Sequence, residues 1–338
     1  MKHITTFGEI MLRLSPPLHY RLEQAATLDA TYGGGEANVA ASLAGFGLPA
    51  AHVTCLPDNA LGRAVGQQFR GLGVDMRHAV VSPGGRLGLY FLEVGASLRP
   101  SRIVYDRFDS AFARLDPAAF NWSDILQDAQ WLHWTGITPA VSAPAARACR
   151  AAITEARRRG LTVSADVNYR RNLWQYGQRA QDVMPELVAG CDVVVCSEDD
   201  AKDLFGIQAE PGATNGFASM AGQLMRQFPQ IRQVLATRRE TRSASHERIK
   251  GLLYEAGQGY LETPFFDITP VVDRIGGGDA FLAGFIYGSL QLNSTAGALA
   301  FATAASALKH TIAGDVNRAT VAEVDYLMQG NTSGRLLR

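Results

Sequence analysis

Between an extended segment at residues 268–272 and an apolar run at 280–290 lies Asp273-Arg274-Ile275-Gly276-Gly277-Gly278-Asp279-Ala280-Phe281. Three consecutive glycines at a strand-to-helix junction are costly, because glycine loses the most backbone freedom on folding. They make sense where a ligand must touch the main chain. With no Cβ atoms in the way, the N–H groups of Gly276, Gly277 and Gly278 can converge on an anion, aided by the positive end of the helix that follows. Asp279 then falls in the first turn of that helix, a carboxylate beside an anion hole. A static phosphate gains nothing from such a neighbour. A phosphoryl group in transit to a hydroxyl does, since the carboxylate can orient that hydroxyl and accept its proton. On spacing alone, an Asp near a helix start after a glycine turn is an equally good reading.

Composition narrows the partners. The chain carries 32 basic and 32 acidic residues, so no global field favours nucleic acid or an anionic membrane. Cys55, Cys149, Cys191 and Cys196 form no C-x-x-C pair and no metal spacing, and read as reduced, buried thiols. Residues 1–8 have neither the basic nor the apolar region of a signal peptide. The small-apolar run 296–308 is too short for a bilayer. The expectation is a soluble, cytoplasmic protein with neither a nucleic-acid nor a membrane partner. Its 338 residues fit one large α/β domain plus an insertion.

In chain order, residues 3–14 alternate loosely, carry Gly8-Glu9 and end at Ser15-Pro16-Pro17, the pattern of a first core strand leaving the sheet. Gly33-Gly34-Gly35-Glu36-Ala37-Asn38 leads into a helix over 37–46 and makes a second corner for an anion or hydroxyls. A tight turn feeding a buried helix would look the same. Residues 51–55 are a short strand, and Asp58 caps the next helix or shapes its turn. Residues 86–94 and 102–107 read as an antiparallel pair inserted as a flap. Tyr90, Tyr105 and Arg107 would point inward from it, against the plainer readings of a sheet aromatic for Tyr90 and a surface ion pair for Arg107. From residue 129 on the pattern is βαβ, and a strand over 161–167 delivers Asp166-Val167-Asn168-Tyr169-Arg170 at its carboxyl end, where ligands sit in such sheets. A buried strand at 192–196 precedes the acidic turn Ser197-Glu198-Asp199-Asp200, whose carboxylates are also ordinary partners of a helix dipole. A strand at 232–237 runs into Thr237-Arg238-Arg239-Glu240-Thr241-Arg242, which reads as a loop.

Asp273-x-x-Gly276-x-Gly278-Asp279 resembles the second signature of the ribokinase/PfkB sugar kinases, usually D-T-x-G-A-G-D, with Arg274 for Thr and Gly277 for Ala. Residues 34–38 match that family's Gly-Gly-x-x-x-Asn sugar-site stretch. Asp166-x-Asn168-x-Arg170, followed by Leu173-Trp174, resembles a motif of the 2-keto-3-deoxygluconate kinases, as do residues 7–15. The resemblance covers nearly the whole chain and implies a ribokinase-like α/β fold. Its mostly parallel central sheet would be flanked by helices, with a core from residues 1–10, 33–84 and 115–330. A small β lid would come from 11–32 and 85–114, and 331–338 would be a C-terminal tail.

The implied activity is ATP-dependent phosphorylation of a sugar acid, 2-keto-3-deoxygluconate to its 6-phosphate. Asp279 would be the base and Gly276, Gly277 and Gly278 the anion hole. Gly34, Gly35, Glu36, Ala37 and Asn38 would surround the sugar acid together with Tyr90, Tyr105, Arg107 and Arg170. Asn168, Thr237, Arg239, Gly276 and Gly278 would face the nucleotide. Asp200 would serve Mg²⁺, and Asp273 and Ile275 a monovalent cation, K⁺, behind the loop. Where the family shows N-x-x-E this chain has Ser197 and Asp200, and 237–242 replaces a glycine-containing nucleotide loop with arginines. A carboxylate substrate calls for a planar bidentate donor, which Arg170 or Arg107 supplies. A neutral-sugar kinase of the fructokinase or ribokinase kind needs none, and a non-catalytic sugar- or nucleotide-binding regulator would have no use for Asp279. An exposed lid face implies a homo-oligomer, a dimer or higher.

Overall fold

Residues on alternate sides of the central strands feed two apolar layers, so both faces of the sheet need a cover. Ile4, Trp131, Val193 and Leu235 lie in one buried cluster, and Phe7, Leu132, Val194 and Val234 in the other, as a side-chain period of two demands. The computed structural model describes residues 2–332 and residue 334. Its central sheet has nine strands, eight of them in the order Gly259–Glu262, His246–Glu255, Gln233–Ser243, Val193–Val195, Thr162–Asp166, Ala129–Thr135, His3–Phe7 and Ala50–Val53. Phe266–Ile268 pairs on the side of His246–Glu255. From Gln233–Ser243 to Ala50–Val53 every pairing is parallel, so the carboxyl ends gather along one edge.

The helices Gly35–Gly45, Gly277–Gln291 and Thr295–Lys309 cover one face, and Ala143–Arg158, Ala180–Val188 and Gly216–Gln227 the other. The small-residue run is a helix-packing stripe. A Cβ on Gly284 would stand 2.8 Å from Ala302 Cα, and one on Gly288 2.5 Å from Ala298 Cα. Gly277–Gln291 and Thr295–Lys309 therefore touch backbone to backbone. That approach sets the C-terminal end of the second beside the glycines that open the first. Among the described residues no helix is long and apolar enough to cross a membrane, and the cysteines Cys55, Cys149, Cys191 and Cys196 are free and buried.

The first strand is shorter than its sequence pattern. It stops at Phe7, and Met11–Ser15 joins a separate four-stranded sheet, ordered Asp29–Gly33, Met11–Ser15, Gly88–Glu93, Arg102–Asp106. The flap pair is antiparallel. Its Tyr90 turns inward at 4% exposure while Tyr105 remains 44% exposed. Two local expectations are corrected. The helix Ala60–Gly71 is capped by Asn59, whose Oδ1 accepts from the N–H groups of Leu61 and Gly62 at 3.0 and 3.1 Å, and not by Asp58. Residues 237–242 are not a loop. The strand Gln233–Ser243 runs through them, with Glu240 opposite Arg248, whose Nη1 donates to Glu240 Oε2 at 2.6 Å. Opposite charges across an antiparallel ladder stabilise it, which lets an arginine-rich segment form a strand. Of the tail expected at 331–338, residues 333 and 335–338 lie outside the described residues.

Candidate active site

The carboxyl ends of the parallel strands, both glycine corners and the inner face of the small sheet meet around a cavity of about 460 Å³. Gly34, Gly35, Asn38, Tyr90, Tyr105, Arg107, Asn168, Arg170, Asp200, Thr237, Arg239, Ile275, Gly276, Gly278 and Asp279 all line it. Residues 245 apart in sequence, Gly34 and Asp279 for example, reach one wall because each opens a helix at the same sheet edge. A larger groove of about 920 Å³ opens at the amino ends of the strands beside His3, Asp75 and Arg77. Its Arg77–Asp75 pair is largely solvated, and it has neither a glycine corner nor a helix start of the kind found here.

The three glycines do different work. Gly276 has φ +81°, and a Cβ there would overlap the Asp315 carbonyl oxygen. Gly277 is a correction to the expected anion hole. It packs on the His310 ring, its N–H donates to the Arg274 carbonyl at 3.4 Å, and it does not line the cavity. Gly278 faces open space, with Arg239 Nη2 4.0 Å from where its Cβ would be. The first-turn N–H groups of Gly277–Gln291 have no intrahelical partner. Gly276→Ala is therefore expected to destabilise the fold by about 2 kcal/mol or more. Gly278→Val is expected to melt like the wild type yet to lose phosphoryl transfer. Urea unfolding beside an activity assay checks both, and a Gly278→Val enzyme with normal turnover would remove the loop from the site.

Asp279 and Asn38 tie the two corners together. Asn38 Nδ2 donates to Asp279 Oδ2 at 2.8 Å, and Asn38 Oδ1 accepts from Gly34 N–H at 3.3 Å. Burial pushes the Asp279 carboxyl up to about 7; the Asn38 bond opposes this, and the charges of Glu36 and Asp315 add to it. Asp279 keeps one edge open to the cavity, so the full effect belongs to the filled site. Asp166 is likewise held at about 7, by burial and then by the like charges of Asp200 and Asp279. A carboxylate with its proton affinity near neutrality, at a helix start facing free amides, is equipped to take a proton from a hydroxyl during transfer to an anion.

Several expected roles change. Glu36 lies beneath the floor, 2% exposed, with Oε1 accepting from Thr135 N–H at 3.1 Å, Thr135 Oγ1 at 2.9 Å and Thr138 Oγ1 at 2.6 Å. It positions the helix start and does not face the ligand. Ala37, fully buried, also misses the cavity. Arg107 reaches the cavity wall, but its Nε donates to Glu9 Oε2 at 2.9 Å in a buried ion pair. It is neither a surface pair nor a free guanidinium. Asp200 spends its oxygens on Ser197 Oγ at 2.8 Å and on Tyr169 N–H at 3.3 Å. Among the described residues no group of three or more His, Cys, Asp or Glu could hold a metal alone. The Asp273 carboxylate is taken by Arg13 Nη1 at 2.7 Å and by the N–H groups of Ile275 and Gly314 at 3.0 Å each. Its carbonyl, expected on a soluble cation, faces the Lys309 ammonium at 3.5 Å.

The Arg170 side chain, by contrast, is exposed to the cavity and has no hydrogen bond or ion pair to another described residue. It also lines an adjoining pocket of about 350 Å³ with Tyr105, Arg107 and Tyr169. Residues missed by sequence reasoning make the support. Arg13 Nη1 also meets Asp315 Oδ1 at 2.9 Å, and the Tyr90 hydroxyl donates to Asp315. The one sequence signal for Asp315 is the Gly314-Asp315 step after the Ala-rich run at 296–308.

Comparison with known proteins identifies the family and the fold. Residues 1–320 match the pfkB family carbohydrate kinase description. The chain is 34% identical over 333 residues to a 2-dehydro-3-deoxygalactonokinase of Haloferax volcanii, covering 98% of each. It superposes with a TM-score of 0.92 on a 2-dehydro-3-deoxygluconokinase from Thermotoga maritima, 41% identical and covering 97% of this chain and 98% of that one. A PfkB family carbohydrate kinase from Listeria grayi follows at 34% identity and TM-score 0.90, covering 97% and 100%. The fold is ribokinase-like, with a mostly parallel sheet between helices and a small separate sheet. With the family matched over residues 1–320 and relatives matched over nearly the whole chain, the chain belongs to the pfkB family of carbohydrate kinases.

Proposed function

We propose that this kinase transfers the terminal phosphoryl group of ATP to the primary hydroxyl of a 2-keto-3-deoxy sugar acid, 2-keto-3-deoxygluconate first among them. The observation that carries the acid is Arg170, an unpaired guanidinium on the wall of the cavity that holds Asp279. A neutral sugar gives such a group nothing to bind, whereas a carboxylate takes its planar fork in two parallel bonds. The sugar-acid names of the relatives support the same class.

Asp279 orients the hydroxyl and receives its proton as the oxygen bonds to the γ-phosphorus. The bond from that phosphorus to the β–γ bridging oxygen breaks, and ADP leaves with its electron pair. The N–H groups of Gly276 and Gly278, at the start of the helix Gly277–Gln291, meet the charge on the moving group. Arg239, close over Gly278, is placed to serve the nucleotide phosphates, with Asn168 and Thr237 along the same wall. Asp166 and Asp200 both line the cavity and would hold a hydrated Mg²⁺ carried in with the nucleotide, where Asp166 already feels the like charges of Asp200 and Asp279 beside its burial. Bound there, the ion would offset charge on the phosphate oxygens.

Assembly as a homo-oligomer, a dimer or higher, is supported by the outer strand Arg102–Asp106. It is exposed along its whole length, including Ile103, Val104 and Tyr105. An ATP-coupled assay across 2-keto-3-deoxygluconate, its C4 epimer 2-keto-3-deoxygalactonate, fructose, ribose and gluconate tests the substrate. The expected result is the highest kcat/KM with one of the two 2-keto-3-deoxy acids. A preference for fructose or ribose would overturn the acid reading.

A further inference from the structure

Gly276 sits against Lys309, since a Cβ at Gly276 would lie 3.3 Å from Lys309 Cε. Lys309 ends the helix Thr295–Lys309, where the negative end of the helix favours a cation. Its side chain is fully buried, a state an ammonium accepts only when it is paired. Nζ donates to the Ile312 carbonyl at 2.9 Å and reaches the Asp273 carbonyl at 3.5 Å. Burial lowers its pKa, and the carboxylates of Asp273 and Asp315 act against that. Those same carboxylates hold Arg13 at 2.7 and 2.9 Å. Two carboxylates thus face two fixed cations, and the Asp315 main chain closes under Gly276.

A soluble monovalent cation behind the loop does not fit this arrangement. The Asp273 carbonyl that would bind it already faces the ammonium, and a further positive charge would have no carboxylate left to balance it. We propose that the Lys309 ammonium is a cation built into the chain, a positioning residue that holds the Gly276–Gly278 loop and makes phosphoryl transfer independent of soluble monovalent cations. The rate arm of its test rests on the kinase reading, while the melting arm stands apart from it.

The wild-type enzyme in tetramethylammonium chloride is expected to keep its kcat and melting temperature when potassium or sodium chloride replaces that salt at equal ionic strength. Activation or a rise in melting temperature with potassium overturns the proposal. Lys309→Met keeps the stem and removes the charge, and kcat is expected to fall on the order of tenfold with little change in KM. Lys309→Ala opens room for an ion and is expected to gain a melting temperature and rate that rise with potassium but not with tetramethylammonium. A Lys309→Met enzyme with normal kcat, or a Lys309→Ala enzyme indifferent to potassium, overturns the proposal. If neither variant folds, the wild-type salt comparison still decides. Absence of turnover with every sugar acid would instead fail the functional reading and leave the melting arm intact.

Discussion

Asp279→Asn is expected to lower kcat by ~10²–10⁴-fold while the protein folds and binds ligands as before. The amide keeps an oxygen that can accept from Asn38 Nδ2, now at 2.8 Å, so the tie between the two glycine corners survives. What disappears is the proton acceptor. The pH profile gives an independent check. A base works deprotonated, and Asp279 is held up to about 7, chiefly by burial. The wild-type rate is therefore expected to rise with pH up to about 7 and level off, and the residual rate of the variant to lack that limb. Stability runs the other way. A carboxyl whose folded pKa is raised contributes stability that is present below its unfolded value of about 4 and lost as pH rises through the folded one. Above neutrality Asp279→Asn is expected to melt no lower than the wild type. Near-normal kcat, or a pH limb that persists in the variant, would sink the assignment.

That conflict between stability and chemistry bears on what could be read from the sequence. The glycine corners, the strand-end Asp166-x-Asn168-x-Arg170 and the carboxylate of Asp279 are local patterns, and a helix start or strand end fixes where their atoms point. All of them reach one cavity. Gly277 and Glu36 sit inside the same motifs and yet turn away, because their neighbours His310, Thr135 and Thr138 come from far along the chain. Arg107 is the plainest case. Its position on the flap was legible, but Glu9 lies 98 residues earlier, and no periodicity reports a partner at that separation. Residues 237–242 failed for another reason. Polar, arginine-rich composition reads as loop, and only its pairing with His246–Glu255, Glu240 against Arg248 included, makes it a ladder. Lys309 was hidden in an Ala-rich helix whose small residues spoke only of packing.

Because Arg107 is paired with Glu9, Arg170 is the guanidinium we propose for the substrate carboxylate, and this makes it the sharper experiment. Its side chain carries no hydrogen bond or ion pair to another described residue, and its charge acts on Asp166 only at longer range, lowering that carboxyl's pKa against burial. Removing it should leave the fold alone, since no buried ion pair is broken. Its contribution then appears only when a carboxylate arrives. Hydrogen bonds to charged groups are worth roughly 1.5–3 kcal/mol, so Arg170→Ala is expected to lower kcat/KM for the sugar acid by about 10²-fold. Arg170→Lys keeps the charge but loses the planar fork, and it should already raise KM for the acid. The comparison that decides is a neutral sugar such as fructose, whose weaker turnover should barely change in either variant. If the acid and the neutral sugar suffer alike, Arg170 is serving the nucleotide phosphates. The preference for a sugar acid would then have to come from Arg107, which could supply it only by giving up Glu9.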